Sequence, residues 1–177
     1  MYKESASFHD RSRLLLFSSE KSLPLSHMHT TIPLRVEDSI YKDQYQIKLA
    51  LDSGNFYIFE HYIIGEVHEG QHIDWADAKV LLERVYEHFG TSDIDMSYIS
   101  NRINSYSVQP KDWLNFYRER HKVKSISVVA YNKIGLMNIA LERLFSKAPY
   151  RKFINLESAV AFVQNSETKT PNDTVND

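Results

Sequence analysis

The chain has 177 residues, 42% of them hydrophobic and 25% charged, with a formal net charge of −2. That length supports one domain with its own core, and the near-neutral balance gives no global drive toward nucleic acid or an anionic membrane. There is no cysteine, which excludes disulfides, thiol nucleophiles and thiolate metal sites and fits a reducing, cytoplasmic setting. The apolar run Leu14–Phe17 is too short for a signal-peptide core or a membrane span.

Residues 1–40 are rich in Ser, His and Lys, carry Pro24 and Pro33 and show no sustained periodicity. They are expected to be poorly ordered. The folded unit is expected over 41–164, with 165–177 as a polar, disordered tail. Within that unit, Tyr45–Leu51 alternates apolar and polar residues as a half-buried strand does. Asp52-Ser53-Gly54-Asn55 is a turn by composition, and Phe56–Glu60 and Tyr62–Val67 are two further aromatic and β-branched runs. Three strands with short links imply an antiparallel meander.

The period then changes from two to 3.6. Asp74 is placed to cap a helix in which Trp75, Ala78, Leu82, Val85 and Phe89 form one stripe, and Gly90 ends it. Ile94–Ser100 reads as a strand. Pro110 suits the first position of a helix that continues to about His121. Ser125–Tyr131 is apolar enough for a central strand. Asn132 is expected to cap a helix carrying Met137, Ala140, Leu141 and Leu144. Lys152–Ile154 is a short strand, and Asn155 caps a last helix with Leu156, Ala159, Val160 and Val163 inward. The string βββαβαβαβα predicts an α/β fold with a mixed sheet, an N-terminal antiparallel meander followed by parallel βα units.

This element order, together with Phe56–Gly70, Tyr98–Ser107 and Ser125–Tyr131, resembles the SpoIIAA-like group. This is the STAS fold of sulfate transporters and anti-sigma-factor antagonists, often grouped with SEC14-type domains. The resemblance covers roughly residues 45–164 and implies a small bacterial, cytoplasmic, non-catalytic module with a regulatory or protein-interaction role. In the antagonists, the loop after the matching strand carries an Asp-Ser-Ser/Thr-Gly motif whose serine is phosphorylated. Here Asn104-Ser105-Tyr106-Ser107 stands in that place, without the Asp or the Gly. The SEC14 proteins are larger and carry a lid that this chain is too short to build.

Ligands of open parallel sheets bind beyond the carboxyl ends of the strands. Three loops are expected there: His68–His72, the long polar Ser100–Gln109, and Tyr131-Asn132-Lys133. Arg102 is the natural clamp for an anion, with Asn101, Asn104, Ser105, Tyr106 and Ser107 adding hydrogen bonds and Asn132 and Lys133 standing opposite. The competing reading pairs Arg102 with Glu66 or Glu69. His68 and His72, at spacing i, i+4, share a face only on a helix, which Gly70 argues against, so no metal site follows. An enzyme using either histidine as a base needs His68 near the Arg102 loop, and no catalytic set can be named. The basic run Arg118–Lys124 is best read as cations at a helix C-terminus. No cofactor, nucleic acid or membrane is called for. The expected partners are a protein or, alternatively, a small anionic or lipid-like ligand at the sheet's C-terminal edge; the oligomeric state is left open.

Overall fold

The computed structural model describes residues 32–131 and 143–168. The meander consists of β1 (Ile47–Leu51), β2 (Gly54–Ile58) and β3 (Tyr62–Val67), each antiparallel to the next. It is followed by β4 (His72–Ile73), α1 (Trp75–Phe89), β5 (Ser97–Arg102), β6 (Ser107–Val108), α2 (Asp112–Arg118), β7 (Ile126–Ala130), β8 (Tyr150–Phe153) and α3 (Leu156–Thr168). The main sheet has the order β1-β2-β3-β5-β7-β8. From β3 onward all of its neighbours are parallel, as the alternation of strand and helix requires. The short pair β4–β6 is also parallel and follows β3 and β5 in the chain.

The best-marked elements form where the local chemistry calls for them. Asp74 accepts from the backbone of Ala76 and Asp77, while the Asp77 side chain accepts from the Asp74 backbone, a reciprocal capping box. Gly90 ends α1 in the left-handed region at φ 67°, a conformation that suits a residue without a Cβ. Asn155 accepts from the Ser158 backbone at the start of α3, and Leu156, Ala159, Val160 and Val163 are all fully buried. The helix predicted from Asn132 lies largely outside the described residues; its last turn, residues 143–145, is helical.

Helices cover both faces of the sheet. On one face, Val85 of α1 packs with Phe56, Ile63 and Val67, and Trp113 of α2 packs against Ile126, Val128 and Ala130. On the other, α3 packs with Tyr57, Ile64, Ile99 and Val129. Val36, in a short 3-10 turn over Val36–Asp38, also joins that second cluster and is fully buried. The boundary predicted at residue 40 is therefore wrong: 32–40 belong to the folded unit, because Val36 fills core space and its backbone is bonded to β3. The far boundary moves as well, since α3 runs to Thr168 rather than ending near 164.

Other bounds differ from expectation too: β2 is Gly54–Ile58 rather than Phe56–Glu60, and β8 is Tyr150–Phe153 rather than Lys152–Ile154. The strand predicted over Ile94–Ser100 is Ser97–Arg102, because β7 extends beside it and pairs Asn101 with Val129 and Arg102 with Ala130. Ile94 and Met96 instead lie in the lead-in and pack into the α1 cluster. The second helix begins at Asp112 rather than Pro110 and stops at Arg118 rather than near His121. Pro110 lies in the preceding turn, where its carbonyl accepts from Trp113 at 3.4 Å. Arg120, with φ 64°, turns the chain out of the helix.

Candidate functional site

Extending β5 by two residues reorganises the predicted site. Successive strand residues point to opposite faces, so Asn101 and Arg102, expected to act together, are separated by the sheet. Asn101 faces α3 and is fully buried. Its Nδ2 donates to the Leu34 carbonyl and to Glu66 Oε1, both at 2.8 Å, and its Oδ1 accepts from the Tyr131 hydroxyl at 2.9 Å. Glu66 Oε1 also accepts from the Val36 backbone at 2.8 Å. Burial pushes the Glu66 carboxyl above the usual carboxylate range, opposed by the bonds from Val36 and Asn101. Burial likewise raises the Tyr131 phenol to about 12. This cluster holds the 32–38 segment against the sheet. Its chemistry is structural.

Arg102 faces the α1–α2 side and is 6% exposed. Its guanidinium lies 5.0 Å from the centre of the Tyr106 ring, a stacking arrangement open to a planar cation. The Tyr106 and Ser100 hydroxyls are bonded to each other at 2.6 Å. Beside them, Tyr98 lies across Gly65, where a Cβ would collide with its phenol. The absence of a side chain at residue 65 is what gives this aromatic ring its place. Of the two carboxylates in the competing reading, Glu66 lies on the opposite face of the sheet, and Glu69 accepts from the Ser105 backbone at 2.7 Å.

Between this face and the two helices is a cavity of about 180 Å³. Phe56, Ile63, Leu81, Val85, Met96 and Phe116 supply apolar wall, and Arg102, Tyr106 and Trp113 also line it. The indole N–H of Trp113 is buried and has no hydrogen-bond partner among the described residues. Close-packed interiors leave few voids larger than one water molecule, so this is room for a guest. No family model, curated protein or solved structure matches this chain. The site therefore has to be read from its own chemistry.

Two of the three predicted loops do come together. Gly70 donates its backbone N–H to the Ser105 carbonyl at 2.7 Å, and Asn104 Nδ2 donates to the Val67 carbonyl at 2.7 Å. Gly70 adopts φ 76°, so it also supplies the left-handed turn. His72 Nδ1 and Ser107 Oγ are 2.8 Å apart. That is nucleophile–base distance, yet among the described residues no third group bonds the other ring nitrogen to orient it. His68 Nδ1 lies 3.2 Å from the Asp52 carbonyl. Asn132 and Lys133 lie outside the described residues. Among those residues no cluster of three or more His, Asp or Glu side chains is placed to hold a metal, and no helix is long and apolar enough to cross a membrane.

The basic run after α2 is dispersed rather than gathered into a face. Lys122 pairs with Asp93 at 2.6 Å and Lys124 with Glu167 at 2.8 Å, while the His121 ring meets the Tyr86 hydroxyl at 2.7 Å. Sequence reasoning named Glu66 only as a partner for Arg102 and did not single out Trp113 as a site residue. Glu66 had a signal: it shares its strand face with Tyr62 and Ile64 by the two-residue period, a carboxylate on an apolar face. Trp113 had only its residue type, since neither the void beside it nor its unpartnered N–H is visible in a linear pattern.

Proposed function

We propose that this chain is a non-catalytic, SpoIIAA-like binding module whose ligand is a small molecule with an apolar body, held between α1–α2 and the sheet. The observation that carries the reading is the cavity of about 180 Å³ with its largely apolar wall. An apolar engineered cavity of about 150 Å³ takes up benzene, so this space is matched to one ring with a small substituent. Its position differs from the expected edge site: it runs beneath the helices, with Arg102 at the carboxyl end of β5 contributing to the wall. Occupancy would tie α1 and α2 to the sheet, a direct route from ligand to altered helix surface and hence to a regulatory role.

A protein-interaction role, which the family resemblance also implies, has less support. Leu114 on α2 is 53% exposed, and single exposed apolar residues are ordinary on protein surfaces.

The test is melting temperature in saturating toluene, for the wild type and for Ala78→Leu, which adds side-chain volume to the cavity wall. The expected result is a rise in the wild type that the variant loses. No rise in the wild type, or an equal rise in both, contradicts the reading.

A further inference from the structure

We propose that the carboxyl edge of β3, β5 and β7 on the α3 face is a peptide-recognition site, occupied here by the chain's own residues 34–37. Its partner is a protein that presents a short segment of the pattern aliphatic, any residue, β-branched, acidic. The site lies across the sheet from the cavity, so it stands or falls apart from the binding reading above. The pairing of Gly65 with Ser100 and of Asn101 with Val129 sets Glu66 and Asn101 side by side near the ends of their strands, and Tyr131 follows β7 directly. That edge is where open α/β sheets take their ligands. Asn101 Nδ2 donates to the Leu34 carbonyl and Glu66 Oε1 accepts from the Val36 N–H, both at 2.8 Å. The Tyr131 hydroxyl donates to Asn101 Oδ1, which turns the donor end of the amide toward the segment. One donor and one acceptor thus read the backbone on either side of Arg35, which is extended at φ −77° and ψ 153°. Such contacts are open to any sequence, so the side chains set the preference. Val36 is fully buried, Leu34 is half-buried, and Lys48 Nζ holds Glu37 at 2.7 Å.

The occupant is anchored at one point. Val36 alone among residues 32–38 is buried, the segment pairs with no strand of the sheet, and Ile32 is 85% exposed. Stretches with few buried contacts are the ones that open locally. When residues 32–38 lift away, water reaches Glu66 and Asn101, so opening leaves no buried carboxylate or amide unpaired. In place, the tethered segment competes at an effective concentration on the order of millimolar, and an outside segment enters only by outbinding it. A second copy is a poor occupant. Trading one segment for its twin gains no contact and still costs the entropy of association.

The test begins with amide hydrogen exchange of the full chain. The Val36 N–H is expected to exchange roughly a hundredfold faster than those of Ile64 and Val129 in the sheet, through local opening. Equal protection overturns the proposal, because the segment then leaves only on global unfolding. The second step is fluorescence anisotropy with a labelled peptide spanning residues 32–40, capped at both ends. Val36→Ala, which truncates the buried anchor of the competing segment, should bind this peptide roughly tenfold more tightly than the wild type does. The same peptide with glycine in place of its valine should not bind. Equal affinity of wild type and variant, or binding of the glycine peptide, overturns the recognition reading. Should Val36→Ala fail to fold, exchange in the wild type and the peptide pair still decide. A segment released only into a concentration-dependent dimer makes a second copy the occupant and overturns the partner assignment.

Discussion

Replacing Asn101 with alanine should destabilise the fold more than any surface change, and the cost can be worked from its bonds. The side chain makes three: to the Leu34 carbonyl, to Glu66 Oε1 and from the Tyr131 hydroxyl. Two are neutral, at about 1 kcal/mol each, and the one to the carboxylate contributes about 1.5–3 kcal/mol. The total is about 3.5–5 kcal/mol, a large share of the roughly 5–15 kcal/mol by which a domain is stable. At about 2–4 °C per kcal/mol for a chain of this size, the melting temperature should fall by roughly 7–20 °C. Urea unfolding, with its slope unchanged, measures the loss directly. A loss below about 1 kcal/mol refutes the claim that this network anchors residues 32–38, since the bonds would then be replaced by water at no cost.

Glu66→Gln should change the pH dependence of stability. Because burial raises the folded carboxyl's pKa, the folded state holds that proton more tightly, so its contribution is fully present below the unfolded pKa and is lost as pH rises through the folded one. The wild type should lose ground to the variant across that window in urea midpoints, and a constant difference contradicts the assignment. Gly65→Ala should cost about 1–3 kcal/mol by driving Tyr98 and Phe56 out of contact geometry; an unchanged melting temperature would show that the rings yield freely. Asp74→Ala removes the acceptor of two backbone bonds at the start of α1 and should cost about 1 kcal/mol, with no loss in urea unfolding counting against the capping box.

The sheet was legible because its chemistry is local. The alternation in Tyr45–Leu51, the stripe from Trp75 to Phe89 and the caps at Asp74, Gly90 and Asn155 each act over a few residues, and strand direction follows from the order of elements. The parallel pairing of β5 with β7 was required by that order and is what forms. The site was less legible, because it depends on where a strand ends. Moving the end of β5 from Ser100 to Arg102 takes Asn101 and Arg102 out of a loop and puts them on opposite faces, and it is the neighbouring strand that sets that end. Val36 was missed for a similar reason. Its short apolar stretch looks like linker until Glu66, thirty residues away, bonds its backbone. A void has no sequence signature, since it is bounded by residues from eight separate elements.

The most direct measurement of the central claim is methyl NMR of the full chain in the presence of toluene. Intermolecular contacts are expected from the ring protons to the methyls of Ile63 and Val85, which line the cavity. None are expected to Val129 and Val160, which are buried on the opposite face of the sheet. Contacts to that opposite face, or to neither set, would contradict the account.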